Sequence, residues 1–150
     1  MARFTIENAD LTAKFELYHD DEKEFEEYDS NFQAILRYQS NGWTVFSENK
    51  WELTIRCCPY FVDKLKEMYS KLEGVAHLNS EWGGSVTLTM RENGIIDVEV
   101  RDGHIPYSEY VQFGFSIDQS YLPDLIRQAE ELFRIKEKKK SILSRLNPFK

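Results

Sequence analysis

Apolar residues alternate with polar ones along most of this chain, and the alternation yields to three-and-four spacing in only two places. Side chains of a strand point to opposite faces in turn, so alternation predicts strands with one buried and one wet face. Ala13, Phe15 and Leu17 alternate with Lys14, Glu16 and Tyr18. Phe32, Ala34, Leu36 and Tyr38 form the next apolar set, with Ile35 on the opposite side. Asn41-Gly42 accepts positive φ and predicts a hairpin turn into Trp43–Phe46, after which Trp51, Leu53, Ile55 and Cys57 share one side of a strand. Val86, Leu88 and Met90 run into a second turn, Asn93-Gly94, and Ile96, Val98 and Val100 return. A loop at Asp102–Pro106 precedes Val111, Phe113, Phe115 and Ile117, an unbroken set that predicts a central core strand. One wet face per sheet is the habit of antiparallel hairpins.

The two exceptions predict helices. Phe61, Leu65, Met68 and Leu72, with Val62 and Tyr69, form one stripe after Pro59, and Gly74 supplies a stop. Leu122, Leu125, Ile126, Ala129, Leu132 and Phe133 form the other, entered through Ser120 and Pro123. The order strands-helix-strands-helix predicts an α+β fold, with one or two antiparallel sheets of hairpins and both helices on one apolar face. Residues 1–134 are expected to form a single domain and residues 135–150 a basic amphipathic tail.

With 150 residues, 41% of them hydrophobic, the chain can bury a sizeable core. The first residues lack the apolar stretch of a signal peptide, and nothing approaches the length of a membrane span. Cys57 and Cys58 are adjacent and cannot staple a loop, so reduced thiols and a cytoplasmic setting are expected.

Chemistry is sparsely written. His19, His77 and His104 have no metal-ligand spacing with one another or with the cysteine pair, and they read as incidental. Cys58, at a predicted helix N-terminus, is the one candidate nucleophile, but no histidine stands at a recognisable spacing from it. Trp82-Gly83-Gly84 precedes a strand rather than a helix, so it reads as a flexible turn and not a phosphate cradle. Asp97 and Glu99 share the wet face of one strand; hydrolytic carboxylates and an ordinary solvated face predict the same pattern. The expectation is a protein without catalytic residues, metal or cofactor.

Charge is segregated. Residues 1–133 carry 25 Asp/Glu against 12 Lys/Arg, whereas Arg134–Lys150 carry seven Lys/Arg and one acid. Seven carboxylates crowd the eleven residues from His19 to Asp29. This field repels nucleic acid and attracts basic proteins. The acidic segment lacks the glycine and ladder of a calcium loop, which leaves a solvated connection or a docking surface with Phe25 and Tyr28 among the acids. The tail, with Ile142, Leu143, Leu146 and Phe149 among its bases, reads as a frayed or folded-back extension of the last helix, or as a membrane-surface or partner helix.

The Gly42-Trp43 hairpin, the run Val86–Val100 and the run Val111–Ile126 together resemble the WapI-type immunity proteins of bacteria. Phe115-Ser-Ile-Asp-Gln-Ser-Tyr-Leu122 is the most specific part, and the similarity covers roughly residues 10 to 134. The resemblance implies a small cytosolic protein that protects its cell from the C-terminal domain of a contact-delivered toxin, and it carries over no catalytic motif. It agrees with the charge pattern, since an acidic inhibitor suits a basic toxin. The expected contact residues are Asp20, Asp21, Glu22, Glu24, Phe25, Glu26, Glu27 and Tyr28 in the acidic segment, with Asp97 and Glu99 on the sheet. The expected partner is a toxin domain, bound by a monomer or homodimer. The alternatives are an adaptor or membrane-peripheral scaffold using the tail, and a small hydrolase using Cys58 or surface carboxylates.

Overall fold

Positive φ at Asn41 (47°) and Gly42 (85°) produces the tight turn that organises the first half of the molecule. The computed structural model describes residues 2–20, 24–81, 83–103 and 110–135. The turn joins two long strands of a four-stranded antiparallel sheet formed by β1 (Arg3–Glu7), β2 (Ala13–His19), β3 (Tyr28–Ser40) and β4 (Trp43–Thr54), in that spatial order. Helix α1 (Cys57–Lys71) follows. A second antiparallel sheet, β5 (Val75–Asn79), β6 (Ser85–Met90), β7 (Ile95–Gly103) and β8 (Tyr110–Asp118), is again ordered as in the chain. Helix α2 (Leu122–Leu132) ends the described fold, with Pro123 in its first turn. The molecule is therefore α+β, built twice as a four-strand meander followed by a helix.

Inward residues of both sheets and both helices form one continuous core. Phe4, Phe15, Leu36 and Trp51 from the first sheet join Leu78, Leu88, Val98 and Ile117 from the second, with Phe61 and Leu65 of α1 and Leu122 and Leu125 of α2. Phe61 meets Phe4 edge-on at 5.7 Å, which seats α1 on the first sheet. The Gln128 side chain of α2 accepts a hydrogen bond from the Thr5 amide at 2.7 Å, covering the β1 edge, and Lys66 pairs with Glu130 between the helices at 2.9 Å. An edge strand left bare would expose unpaired backbone groups, and Gln128 of α2 satisfies one of them on β1, the Thr5 amide.

Several sequence expectations change in detail. Strands β1 and β5 escape the pattern because each places only two apolar side chains inward, Phe4 and Ile6, and Ala76 and Leu78. Strand β4 ends at Thr54, so Cys57 opens the helix instead of lying on a strand face. Leu72 and Tyr69 are exposed: Leu72 takes a left-handed φ of 55° and its amide bonds to the Met68 carbonyl, closing α1 before Gly74. Phe113 and Phe115 are only half-buried, because β8 is an edge strand and not a central one. Their outer neighbour across the sheets is Tyr38, 5.3 Å from Phe113.

Candidate partner-binding surface

The acidic segment between β2 and β3 is pinned at its base by groups that the alternation carries inward. His19 continues the parity of Ala13, Phe15 and Leu17 and is 2% exposed. Its Nε2 lies 3.0 Å from Oδ2 of Asp29, which is fully buried. The same carboxylate accepts from the Asn31 amide at 2.8 Å and the Glu26 amide at 3.1 Å. Burial pushes the Asp29 carboxyl up, but the bonds from Asn31, His19 and Glu26 outweigh it and hold the group below its ordinary value. An ionised carboxylate only accepts, so Nε2 is the donor, and Nδ1 of His19 has no hydrogen-bond partner among the described residues.

Phe25 closes this base from above. Its ring meets His19 at 4.5 Å and Phe32 at 5.6 Å, and the Arg134 guanidinium lies 4.6 Å from its centroid. The Glu27 carbonyl accepts from the Ile55 amide at 3.0 Å, tying the segment to the start of α1. Phe25 is thus a half-buried pillar, not a free anchor. Glu24, Glu26 and Glu27 face solvent beside Tyr28, which is 58% exposed. Asp20 is exposed at the end of β2, and Asp21 and Glu22 lie outside the described residues. Residues 24–28 are thus held with three carboxylates and one phenol turned outward.

Asp97 and Glu99 stand on the outer face of β7, in the other sheet. They share no hydrogen bond or ion pair with the acidic segment among the described residues. Asp97 is engaged by Arg91 and by Ser116 Oγ, while Glu99 is exposed. The structure therefore does not merge the two sets of expected contact residues into one cluster.

A polar cluster that the sequence reading missed joins the two sheets. Asp102, 3% exposed, accepts from Ser47 Oγ at 2.6 Å, Asn49 Nδ2 at 2.7 Å and Trp51 Nε1 at 3.2 Å. Its parity with Ile96, Val98 and Val100 was the available signal, hidden by its place beside Gly103 in an apparent loop. Gly84 lies against the same indole: a Cβ there would fall 2.4 Å from Trp51, so this glycine serves packing and not loop flexibility. Trp82, His104 and the tail from Lys136 to Lys150 lie outside the described residues.

Of the cysteines, Cys57 is the more acidic. Hydrogen bonding from Cys58 and from Thr54 holds its thiol at about 6, against burial and the nearby Glu81. Cys58 is pushed up by its bond to Cys57 and by burial, which reverses the expected order of reactivity. His77 bonds to Thr87 on the sheet surface. Among the described residues no group of three or more His, Cys, Asp or Glu is placed to hold a metal ion, and no helix is long and apolar enough to cross a membrane. Compared with protein-family models and with curated proteins, the chain matches none.

Proposed function

We propose that this protein is a non-catalytic, cytoplasmic immunity protein that binds a basic toxin domain and neutralises it by occlusion. One observation carries the reading: His19, Asp29 and Phe25 hold the acidic segment against the body while Glu24, Glu26, Glu27 and Tyr28 face outward. Residues ordered beforehand lose less entropy on binding, so the charges of Glu24, Glu26 and Glu27 count more fully toward recognition. The resemblance to WapI-type immunity proteins supplies the class of partner, and the excess of acids in residues 1–133 agrees with a basic one. Tyr28 is the aromatic that a partner would cover; Phe25 acts from beneath, by keeping the carboxylates in place.

The test is binding kinetics against the toxin domain recovered with this protein by pull-down from its native strain, at two ionic strengths. Reversing Glu24, Glu26 and Glu27 to Lys should lower the association rate at least tenfold at low salt, with thermal melting little altered. Tyr28→Ala should instead raise the dissociation rate. An association rate that ignores both salt and the reversal would remove this segment from the interface.

A further inference from the structure

We infer that two copies of this chain pair antiparallel along β4, over Thr44–Lys50, so that the first sheet of each continues into that of the other. Strand β4 is the outer strand of its sheet, and its backbone groups sort by parity. Gln39, opposite Thr44, gives its amide to the Thr12 carbonyl on the β2 side at 2.8 Å. Glu52 gives its amide to Ser80 Oγ at 3.2 Å, away from β3, and its carbonyl accepts from the Glu81 amide at 2.9 Å. The even-numbered residues of β4 therefore turn their N–H and C=O outward, while the odd-numbered ones bond to β3. At Glu52 the chain itself has already used this edge. From Thr44 to Lys50, no outward backbone group has a hydrogen-bond partner among the described residues.

The free run matches itself. With the two-fold axis at Ser47, Thr44 faces the partner's Lys50 and Phe46 faces the partner's Glu48, and the pairing stops on each side where Glu52 is occupied. Such a register forms about eight backbone hydrogen bonds. An axis at Glu48 would set that carboxylate against its own copy, a destabilising pair. An axis at Asn49 would drive Phe46 against Glu52, whose backbone is taken. Charged residues on an edge strand ordinarily discourage pairing. In the Ser47 register no like charges stand directly opposite one another, since Glu48 faces Phe46 and Lys50 faces Thr44. Phe46, 58% exposed in the middle of the run, lies diagonally across the axis from its copy and would be partly covered by the pairing. The second copy is thus an occupant whose free backbone length and apolar residue fit this edge.

Two measurements on the full chain test the pairing. Sedimentation velocity should show a concentration-dependent dimer, with an interface of this small size expected to associate on the order of 10–100 µM. Amide exchange should show Thr44, Phe46, Glu48 and Lys50 protected at high concentration and fast at low, with Val45 and Ser47 protected at both. Phe46→Pro removes an amide that the fold itself does not use, so it should lower the association constant at least tenfold with melting little changed. Phe46→Lys serves the same purpose if the proline variant does not fold. A monomer across the whole range would overturn the proposal. So would a dimer untouched by both substitutions, or one whose protection falls on β8.

Discussion

The Trp51 indole donates to the Asp102 carboxylate at 3.2 Å, a bond that crosses from the outer strand of the first sheet to the second. Asn49 and Ser47 donate to the same carboxylate, so one buried acid satisfies three donors on β4. Replacing it with Ala removes that acceptor from all three, and only Asn49 keeps another, Ser47 Oγ at 3.2 Å. Asp102→Ala is expected to cost about 3 kcal/mol, because the buried Trp51 N–H would be left unpaired and the half-buried Ser47 and Asn49 would lose their acceptor. Urea melts measure this. A loss under about 1 kcal/mol would mean that water reaches the cluster and takes over the role of the carboxylate.

Gly84→Ala places a methyl group inside the Trp51 ring contact and should cost about 2 kcal/mol. The φ of Gly84 is not among the positive values, so crowding alone sets the effect. In a Trp51→Phe background the smaller ring leaves room, and the alanine should cost less than half as much. Additive costs in the double mutant would show that the two residues do not share this space.

Asp29 makes stability depend on acid. Its carboxyl lies below its ordinary value in the folded state, so its contribution is present above the unfolded value, about 4, and is lost as pH falls through the lower folded value. Asp29→Asn should be less stable than the parent at neutral pH by about 2–4 kcal/mol. The difference should narrow as pH falls through the lower folded value, below which the parent carboxyl is protonated as well. Equilibrium melts across this range read the effect, and a gap independent of pH would assign the loss to packing.

Phe115→Ala should cost about 1–2 kcal/mol, against about 3–5 for Phe15→Ala. Both are inward-facing phenylalanines, but Phe115 is half-buried on an edge strand and Phe15 is fully buried in an inner one. Equal losses by urea denaturation would restore Phe115 to the core.

Period-two patterning was enough to read the hairpins at Asn41-Gly42 and Asn93-Gly94 and the parity of Phe32 through Leu36 and of Ile96 through Val100, and its two breaks to three-and-four spacing marked both helices and their order. Those features depend on local turn chemistry and on which side of an element is apolar, and both are properties of neighbouring residues. Strands β1 and β5 were not legible, because five residues with two inward apolar positions carry too little pattern to stand out. Charge segregation was likewise plain in the sequence, since it is a matter of composition along the chain.

What only the tertiary structure decided is which inward positions are buried and which polar residues join them. Phe113 looks like a core residue until the strand order puts β8 at an edge. His19 and Asp102 look like loop residues, yet they extend the inward parity of β2 and β7 and are buried because a partner from another strand meets each one. Phe25 looks like an exposed anchor, and the rings of His19 and Phe32 and the guanidinium of Arg134 make it a support instead. Burying a polar group costs free energy unless its partners arrive with it. Those partners lie ten to fifty-five residues away in the chain, and no local pattern records where the fold will bring them.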